Sequence, residues 1–362
     1  MARVDVRKTY KLYIGGQFPR SESGYSYEVL DAKGKFVANA AQASRKDARD
    51  AVIAARSAFK GWSGKTAYNR AQILYRVAEI MEDRRPQFVE ALKQSEGLTP
   101  ARAERTLDAA IDRLVWYAGW ADKITQIVGG ANPVAGPYFN LSSPEPTGVI
   151  AVFAPQESSL LGLISVIAPA IVTGNTVVVV SSAQRPLPAV TFAEVLATSD
   201  VPGGVVNILT GDYTAPGPWL ASHMDVNALD LTGLAGDAEN ATAYEVAAAD
   251  NLKRVRRAPA AEPDWTQASR HGPLDRGSGD QDRLAPDRDL SDGRSGSLAA
   301  PDRATRSRDR LRRDRDDQRR PRVPVGCHAG VVVRAVSHLR RAQHRGAALR
   351  DGRIHRAYAE TL

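Results

Sequence analysis

Apolar residues recur at helical spacing in three segments of the first third of the chain. Ser44 and Asp47 have the spacing of a capping box, and the helical periodicity continues from there to residue 59. Residues 71–92 have the same periodicity, and so do residues 107–118. The pattern predicts three amphipathic helices ahead of the first buried strand.

The pattern changes from residue 146 onward. Residues 148–153 are continuously apolar and rich in β-branched side chains, which is typical of a strand buried on both faces. Further strands are predicted at 176–180, 205–209 and 228–231, with helices at 160–172, at 187–197 and near Trp219. The alternation predicts an α/β fold with a doubly wound parallel sheet, Rossmann-like in type.

Ligands of such sheets bind beyond the carboxyl ends of the strands, where helix N-termini and turn backbone can meet phosphates. Four turns therefore become candidate binding segments. They are residues 154–159, 181–184, 210–212 and 232–234.

Composition changes abruptly after Arg257. The remaining residues contain no Lys, Phe, Met or Asn, and they hold 22 Arg against 15 Asp and Glu, which supplies +7 of the +8 formal charge. The sequence of residues 258–362 has too few regularly spaced apolar residues. Burying them would not offset the loss of chain entropy on folding. We expect residues 1–257 to form the folded part and residues 258–362 to be largely disordered, apart from a short strand or helix between residues 323 and 339.

Cysteine usage and hydropathy restrict the compartment. A single cysteine, Cys327, excludes an internal disulfide and fits a reducing environment. The N-terminus is charged and has no apolar signal segment, and the apolar stretch 160–172 is shorter than the about 20 residues that span a bilayer. We expect a soluble, cytoplasmic protein that does not insert into a membrane.

Several short motifs resemble the aldehyde dehydrogenase superfamily, in order and at the family's spacing. They are Leu12-Tyr13-Ile14-Gly15-Gly16, the stretch from Ala54 to Trp62, residues 116–123 (Trp-Tyr-Ala-Gly-Trp-Ala-Asp-Lys), Pro146-Thr147-Gly148-Val149, Gly174-Asn175-Thr176-Val177-Val178, residues 202–207 (Pro-Gly-Gly-Val-Val-Asn) and Leu231-Thr232-Gly233. Each motif is weak alone, but together they extend over most of the first 257 residues. The resemblance implies a truncated sheet of the aldehyde dehydrogenase type that uses NAD or NADP and acts on an aldehyde.

The resemblance also implies a set of catalytic groups. In the family a cysteine thiolate attacks the aldehyde, an asparagine amide helps to hold the oxyanion, and a glutamate activates the hydrolytic water. Glu157 stands where the asparagine is expected, and an ionised carboxylate can only accept hydrogen bonds. The alternative for Glu157 is a solvated loop glutamate without a role. No Glu-Leu-Gly-Gly motif is present, Glu245 is more simply a helix surface position, and Cys327 lacks the family's flanking residues.

For the cofactor, the resemblance assigns four positions: Pro155, Gly211, Thr232 and Gly233. Gly211 and Gly233 have ordinary left-handed turns as their alternative. The lysine that the family places after the second strand is replaced by Val180, and Ser181 and Ser182 are either ribose or phosphate donors or turn formers. The family's serine after Thr232-Gly233 is Leu234, which cannot hydrogen-bond. No catalytic residue and no metal site can be assigned.

Two explanations remain for residues 258–362. A basic extension would bind nucleic acid or an acidic surface, but Arg and Asp alternate here and largely cancel, so no specific nucleic-acid partner is expected. A frameshift in a GC-rich gene, or a fusion, accounts better for this composition, because the residue types that are missing after Arg257 have AT-rich codons. The substrate domain would then be absent and apolar surface exposed. Residues 126–138, which resemble the start of the family's oligomerisation arm (126–146), would lose their partner strand and leave an open edge.

Three functions follow. The first is an inactive or incomplete member of the family, the second a working NAD(P)-dependent oxidoreductase with altered residues, and the third a non-catalytic subunit that pairs with an active paralogue or with itself. The missing cysteine motif, Glu157 and Val180 favour the first.

Overall fold

The computed structural model describes residues 7–133, 135, 140–266 and 331–333. Near the N-terminus three strands, β1 (Thr9–Tyr10), β2 (Ser26–Leu30) and β3 (Phe36–Ala41), form a small sheet in the order β1-β3-β2. The hydrophobic pattern did not predict this sheet, because its strands are short and nine of their thirteen positions are exposed or intermediate.

The first predicted helix is confirmed as α1 (Arg45–Ser63). Its N-terminus has the predicted capping box: the Asp47 backbone N–H donates to the Ser44 Oγ at 3.3 Å, and the Ser44 backbone N–H donates to the Asp47 carboxylate at 2.7 Å. These bonds satisfy two polar groups at the start of the helix. The helix therefore starts where the sequence predicted it.

The single helix predicted over residues 71–92 is wrong. The segment forms two helices, α2 (Ala67–Asp83) and α3 (Arg85–Glu96), which are separated at Arg84. Pro86 lies in the first turn of α3, where its missing N–H is tolerated, whereas inside a continuous helix it would remove a hydrogen bond and clash with the preceding turn. The third predicted helix is confirmed as α4 (Pro100–Trp120), and a short α5 (Ile124–Val128) follows.

The strand region predicted at residues 126–138 is largely wrong. It is helical to Val128 and then forms only β4 (Gly130–Ala131), while residues 134 and 136–139 lie outside the described part of the chain. The next strand, β5 (Leu141–Pro144), pairs antiparallel with β4 on one side and with β11 (Val331–Val333) on the other. Among the described residues, the predicted open edge is covered at β5 and remains open at β4. β11 confirms the strand expected between residues 323 and 339.

The four predicted parallel strands are confirmed, and a fifth joins them. The order along the chain is β6 (Val149–Phe153), α6 (Leu161–Val172), β7 (Thr176–Val180), α7 (Leu187–Thr198), β8 (Val206–Leu209), α8 (Gly217–Ser222), β9 (Ala228–Asp230), α9 (Ala238–Ala249) and β10 (Arg254–Arg256). All neighbours are parallel, in the order β10-β9-β6-β7-β8. β10 was missed because an Arg-Val-Arg triplet has no apolar run.

Helices cover both faces of this sheet. α6 and α7, backed by α2 and α4, pack on the face that carries Val152, Val177 and Val179. α1, α8 and α9 pack on the opposite face, which carries Val178 and Val180 among others. Burial on two faces explains the continuous apolar runs of the central strands. In the described residues no helix is both long and apolar enough to cross a bilayer.

The strand order places a topological switch point between β6 and β9. From β6 the chain moves outward through β7 to β8, and it then crosses back to place β9 and β10 on the other side of β6. The connections that leave the carboxyl ends of β6 and β9 therefore run in opposite directions and leave a crevice between them, where ligands of this fold class bind.

The motif at residues 12–16 pairs with β8, the edge strand at the end of the sheet opposite β10. The Tyr13 N–H donates to the Ile208 carbonyl at 2.9 Å, and the Ile208 N–H donates back at 2.7 Å, so the segment adds an antiparallel bridge to β8. A Cβ at Gly204 would lie 2.5 Å from the Ala54 carbonyl oxygen, and the φ of Gly204 is +92°. Only glycine fits there, which gives a packing reason for the glycines of residues 202–207.

Candidate functional site

Two turns meet at the switch point: residues 154–159 after β6 and residues 231–234 after β9. A Cβ on Gly233 would lie 2.0 Å from the carbonyl oxygen of Ala154 and 2.6 Å from that of Phe153. The structure therefore needs glycine here for close backbone approach, and the left-handed turn that was its alternative is wrong, since Gly233 is not among the glycines with positive φ. The two turns are held in direct contact.

A buried ion pair fixes the second turn. The Thr232 N–H and Oγ1–H both donate to Asp230 Oδ1, at 3.0 and 2.5 Å, and Arg256 Nη1 donates to Asp230 Oδ2 at 2.9 Å. The Asp230 and Arg256 side chains are only 12% and 16% exposed. Thr232, which was assigned to the cofactor, thus has its hydroxyl proton directed at Asp230, so its oxygen can still accept a bond but its donor is used.

The first turn presents a run of backbone donors that bind carboxylates of the same chain. Glu262 Oε2 accepts the N–H groups of Gln156 and Glu157 at 2.9 and 2.8 Å, and Glu262 Oε1 accepts the Ser158 N–H at 2.8 Å. Pro155 is buried beside them and contacts the first turn of α6 near Gly162. The turn therefore binds a carboxylate through three backbone N–H groups that lie just ahead of Leu160, the N-cap of α6.

A second glutamate takes the next donor. Glu96, at the end of α3, accepts the Ser159 N–H at 2.8 Å and the Ser159 Oγ–H at 2.7 Å through the same oxygen. Burial raises the pKa of the Glu96 carboxyl, and the negative charge of Glu262 acts in the same direction, while the Ser159 donors and the Arg185 guanidinium oppose the rise. Four consecutive N–H groups, from residue 156 to residue 159, are thus bonded to two carboxylates.

Glu157 is exposed to solvent and bonded to Arg185. Its side chain is 70% exposed and pairs with Arg185, whose Nη2 lies 2.7 Å from Glu157 Oε2 and whose Nη1 donates to the Glu157 carbonyl at 2.6 Å. The structure favours the solvated-glutamate alternative, and it offers no amide donor at this position.

The turn after β7 is formed by its serines. Ser181 Oγ donates to the Leu209 carbonyl at 3.2 Å and Ser182 Oγ donates to the Gln156 carbonyl at 3.0 Å, and both residues are buried. These bonds support the turn-forming alternative over ribose or phosphate binding. Val180 is buried in the sheet, as expected of its position in β7.

The other assigned positions have packing roles. Gly211 has a φ of +111°, and a Cβ there would meet the Gln42 side chain at 2.7 Å. Leu234 is buried in the core on the α8 and α9 face. Glu245 lies on α9 and pairs with Arg257 at 3.3 Å, which agrees with a surface position. Cys327 lies outside the described residues.

The first residues beyond the composition change pack against the folded part. Trp265 is 5% exposed and joins the core beside α6, where its indole N–H donates to Glu262 Oε1 at 3.2 Å. Arg113 of α4 is also buried, and its Nη2 donates to the Trp265 carbonyl at 2.9 Å. The folded part therefore extends past the expected boundary at residue 257, as far as Trp265.

Sequence reasoning missed Glu96, Arg185, Glu262 and Trp265. Glu96 is 63 residues from Ser159 and Arg185 is 28 residues from Glu157, and neither lies in a motif, so only the tertiary fold brings them to the turn. Trp265 could have been noticed in the sequence, because a large apolar residue is unusual after Arg257 and indicates a buried position.

A separate depression lies between α2 and α4 and is lined by Glu82, Asp108 and Asp112 together with apolar side chains. Arg85 pairs with Glu82 and Asp108 at its rim. Carboxylates of this kind repel phosphates, so the depression does not compete with the switch point as a nucleotide site.

The crevice and the sheet define a class. A doubly wound parallel sheet with a topological switch point between its first and fourth strands is the architecture of dinucleotide-binding α/β domains.

Comparison with known proteins identifies the family. The model of the Aldehyde dehydrogenase family matches residues 19–258. Cytosolic aldehyde dehydrogenase 1 of Elephantulus edwardii is 34% identical over 260 residues, 70% of this chain and 51% of that protein. An aldehyde dehydrogenase of Davidiella tassiana is 33% identical over 248 residues, 67% of this chain and 49% of the relative. The solved NAD+ complex of an aldehyde dehydrogenase from Bacillus cereus matches with a TM-score of 0.64 at 26% identity, over 68% of this chain and 50% of that one.

The chain belongs to the aldehyde dehydrogenase family, and the resemblance seen in its motifs is confirmed. It spans about half the length of the curated relatives it matches. The family match ends at residue 258, next to the change in composition after Arg257.

Proposed function

We propose that this chain is a nucleotide-binding member of the aldehyde dehydrogenase family that does not itself oxidise aldehydes. The observation that carries the proposal is the turn after β6. Its place at the switch point and its N–H groups suit an anionic cofactor. Position 157, where the family's asparagine is expected, carries an acceptor instead of an amide donor, because Glu157 is a carboxylate paired with Arg185.

NAD or NADP is the proposed cofactor. The turn fits a phosphate-bearing ligand, because three of its N–H groups converge on two carboxylate oxygens of Glu262, which are similar in charge and size to phosphate oxygens. Pro155, Gly211, Thr232 and Gly233 would line the site. A nicotinamide dinucleotide supplies a hydride acceptor when bound, and these residues would hold and orient it.

Isothermal titration of the full chain with NAD and NADP, combined with a turnover assay, tests the proposal. We expect measurable binding of one dinucleotide and no reduced-nicotinamide absorbance above background with aliphatic and aromatic aldehydes. Turnover in the wild type that disappears in C327A would show that the lone cysteine is a working nucleophile. The proposal that the chain does not oxidise aldehydes would then be wrong. Absence of binding by either dinucleotide would overturn the cofactor assignment.

A second candidate is a non-catalytic subunit that pairs with an active relative or with another copy of itself. The observation that favours it is the segment around β4, the edge strand of the sheet β11-β5-β4. Ile127 and Leu141 lie next to this edge and are 66% and 49% exposed. Co-expression with an intact aldehyde dehydrogenase and co-purification test it. An I127D variant should lose the complex, and an unchanged yield of complex would contradict a role for this edge.

A further inference from the structure

The side chain of Gln156 bonds to the backbone of two neighbouring turns. Its Nε2 donates to the Ala154 carbonyl at 2.7 Å, and its Oε1 accepts the Ala183 N–H at 3.4 Å, which is the longer and weaker of the two bonds. A carbonyl can only accept and a backbone N–H can only donate, so these partners fix which way the carboxamide faces. Gln156 therefore links the turn after β6 to the turn after β7.

The backbone of the same residue adds a third link. Ser182 Oγ donates to the Gln156 carbonyl at 3.0 Å and accepts the Arg185 N–H at 3.3 Å. The neighbouring strands β6 and β7 are joined as far as the bond from the Ala154 N–H to the Val180 carbonyl, at 2.9 Å. The contacts of Gln156 carry this connection beyond the ends of the strands, into the turns that follow them.

The carbonyl that Gln156 binds also contacts the opposite turn. The Ala154 carbonyl oxygen is the atom that a Cβ on Gly233 would meet at 2.0 Å, and Pro155 follows Ala154 directly. Pro155 and Gly233 are two of the positions proposed for the cofactor. A change at the Gln156 side chain is therefore transmitted to both of them through one carbonyl group.

We propose that Gln156 is a positioning residue of the cofactor crevice, whose carboxamide joins the β6 and β7 turns and orients the Ala154 carbonyl so that Pro155 and Gly233 keep the geometry that binds a dinucleotide. This role rests on the proposed nucleotide site and adds a specific residue to it. Gln156 acts through the backbone that it holds. Its two bonds need a side chain with one donor and one acceptor, which glutamine has and an ionised glutamate lacks.

Glutamate and alanine remove different parts of this link. In Q156A both side-chain bonds are lost. In Q156E an ionised carboxylate can still accept the Ala183 N–H, but its other oxygen faces the Ala154 carbonyl and repels it. A protonated glutamic acid regains an O–H donor, so the defect of Q156E should shrink as the pH falls, whereas the defect of Q156A should not. Comparison with the wild type at each pH cancels the titration of the carboxylates that all variants share at this turn, which are Glu96, Glu157 and Glu262.

Calorimetric titration of the full chain with NAD, from about pH 8 down to about pH 5, measures the effect on binding. We expect Q156A and Q156E to bind NAD about tenfold more weakly than the wild type at the higher pH, the scale of a lost hydrogen bond. The difference should narrow towards the lower pH in Q156E alone. Q72A and Q72E are the matched controls, because Gln72 lies exposed on α2 and its Nε2 donates to Tyr68 Oη at 3.1 Å. Both controls should bind NAD as the wild type does.

Amide hydrogen exchange without ligand tests the link between the turns independently of the cofactor. In Q156A we expect faster exchange at residues 182–185 than in the wild type, while β6 and β7 keep their protection. The same measurement confirms that each variant is folded.

The outcomes separate the role of Gln156 from the nucleotide site. Equal NAD affinity in the wild type, Q156A and Q156E overturns the positioning role and leaves the cofactor site intact. A defect in Q156E that does not shrink at the lower pH also overturns it, because the donor would then have no part in binding. If the wild type binds no NAD, the cofactor site is overturned, and the exchange at residues 182–185 alone decides whether Gln156 links the turns. If Q156E does not fold, Q156A compared with Q72A decides by affinity and exchange.

Discussion

At the scale of single residues, the ion pair between Asp230 and Arg256 holds the turn that carries Thr232. Replacing Arg256 by alanine would leave the Asp230 carboxylate with only the Thr232 donors in a mostly buried position. We expect R256A to lower the free energy of unfolding by about 2–3 kcal/mol, the scale of a lost hydrogen bond to a charged group. Urea denaturation measures it.

R257A is the matched control for that prediction. Arg257 is the neighbouring residue, its side chain is 81% exposed, and its contact with Glu245 is a surface pair. Such pairs contribute about 0–1 kcal/mol. Equal destabilisation in R256A and R257A would contradict the role given to the buried pair.

Glu96 gives a prediction for pH. Burial raises the pKa of its carboxyl in the folded protein, so the stability that this group contributes is fully present below its unfolded pKa and is lost as pH rises through the higher folded pKa. Glutamine keeps an oxygen acceptor for Ser159 and does not titrate. The unfolding free energy of the wild type relative to E96Q should therefore fall as the pH is raised from the acid side. A difference that is constant with pH would contradict burial as the cause.

At the scale of elements, the close contact between the β6 and β9 turns depends on Gly233. A Cβ at this position meets the Ala154 carbonyl at 2.0 Å, and backbone cannot yield as a side-chain end can. We expect G233A to destabilise the protein by about 1–3 kcal/mol, as overpacking does, and to weaken dinucleotide binding. Thermal melting and calorimetric titration measure the two effects.

G119A is the control for an added methyl group. Gly119 lies in α4, and no atom lies within 4 Å of a Cβ placed there. Alanine should stabilise that helix by up to about 1 kcal/mol. A neutral or stabilising G233A would show that the two turns are not in the contact described.

The elements also show how far a hydrophobic pattern determines a fold. The central strands were predictable because burial on two faces leaves an apolar run such as residues 176–180, and α1 was predictable from Ser44 and Asp47. To predict that the helical segment divides at Arg84, Pro86 must be given more weight than the apolar periodicity. β10 was not predictable, since its pairing with β9 comes from the sheet edge and not from its own apolar content.

At the scale of the whole molecule, the general position of the site followed from topology. Parallel strands place their following turns at one edge, so residues 154–159 and 232–234 could be named in advance. The contacts of these turns with distant residues could not be predicted. Glu96 and Glu262 are far in sequence from the turn they bind, and no motif around Glu262 indicates that its carboxylate is the partner of three N–H groups.

The central claim is that a dinucleotide binds at the switch point between β6 and β9. Amide hydrogen exchange of the full chain with and without saturating NAD tests this most directly. The account predicts slower exchange at residues 210–212 and 231–234, with α2 and α4 unchanged. Protection confined to the acidic depression between α2 and α4, or no protection at either turn, would contradict it.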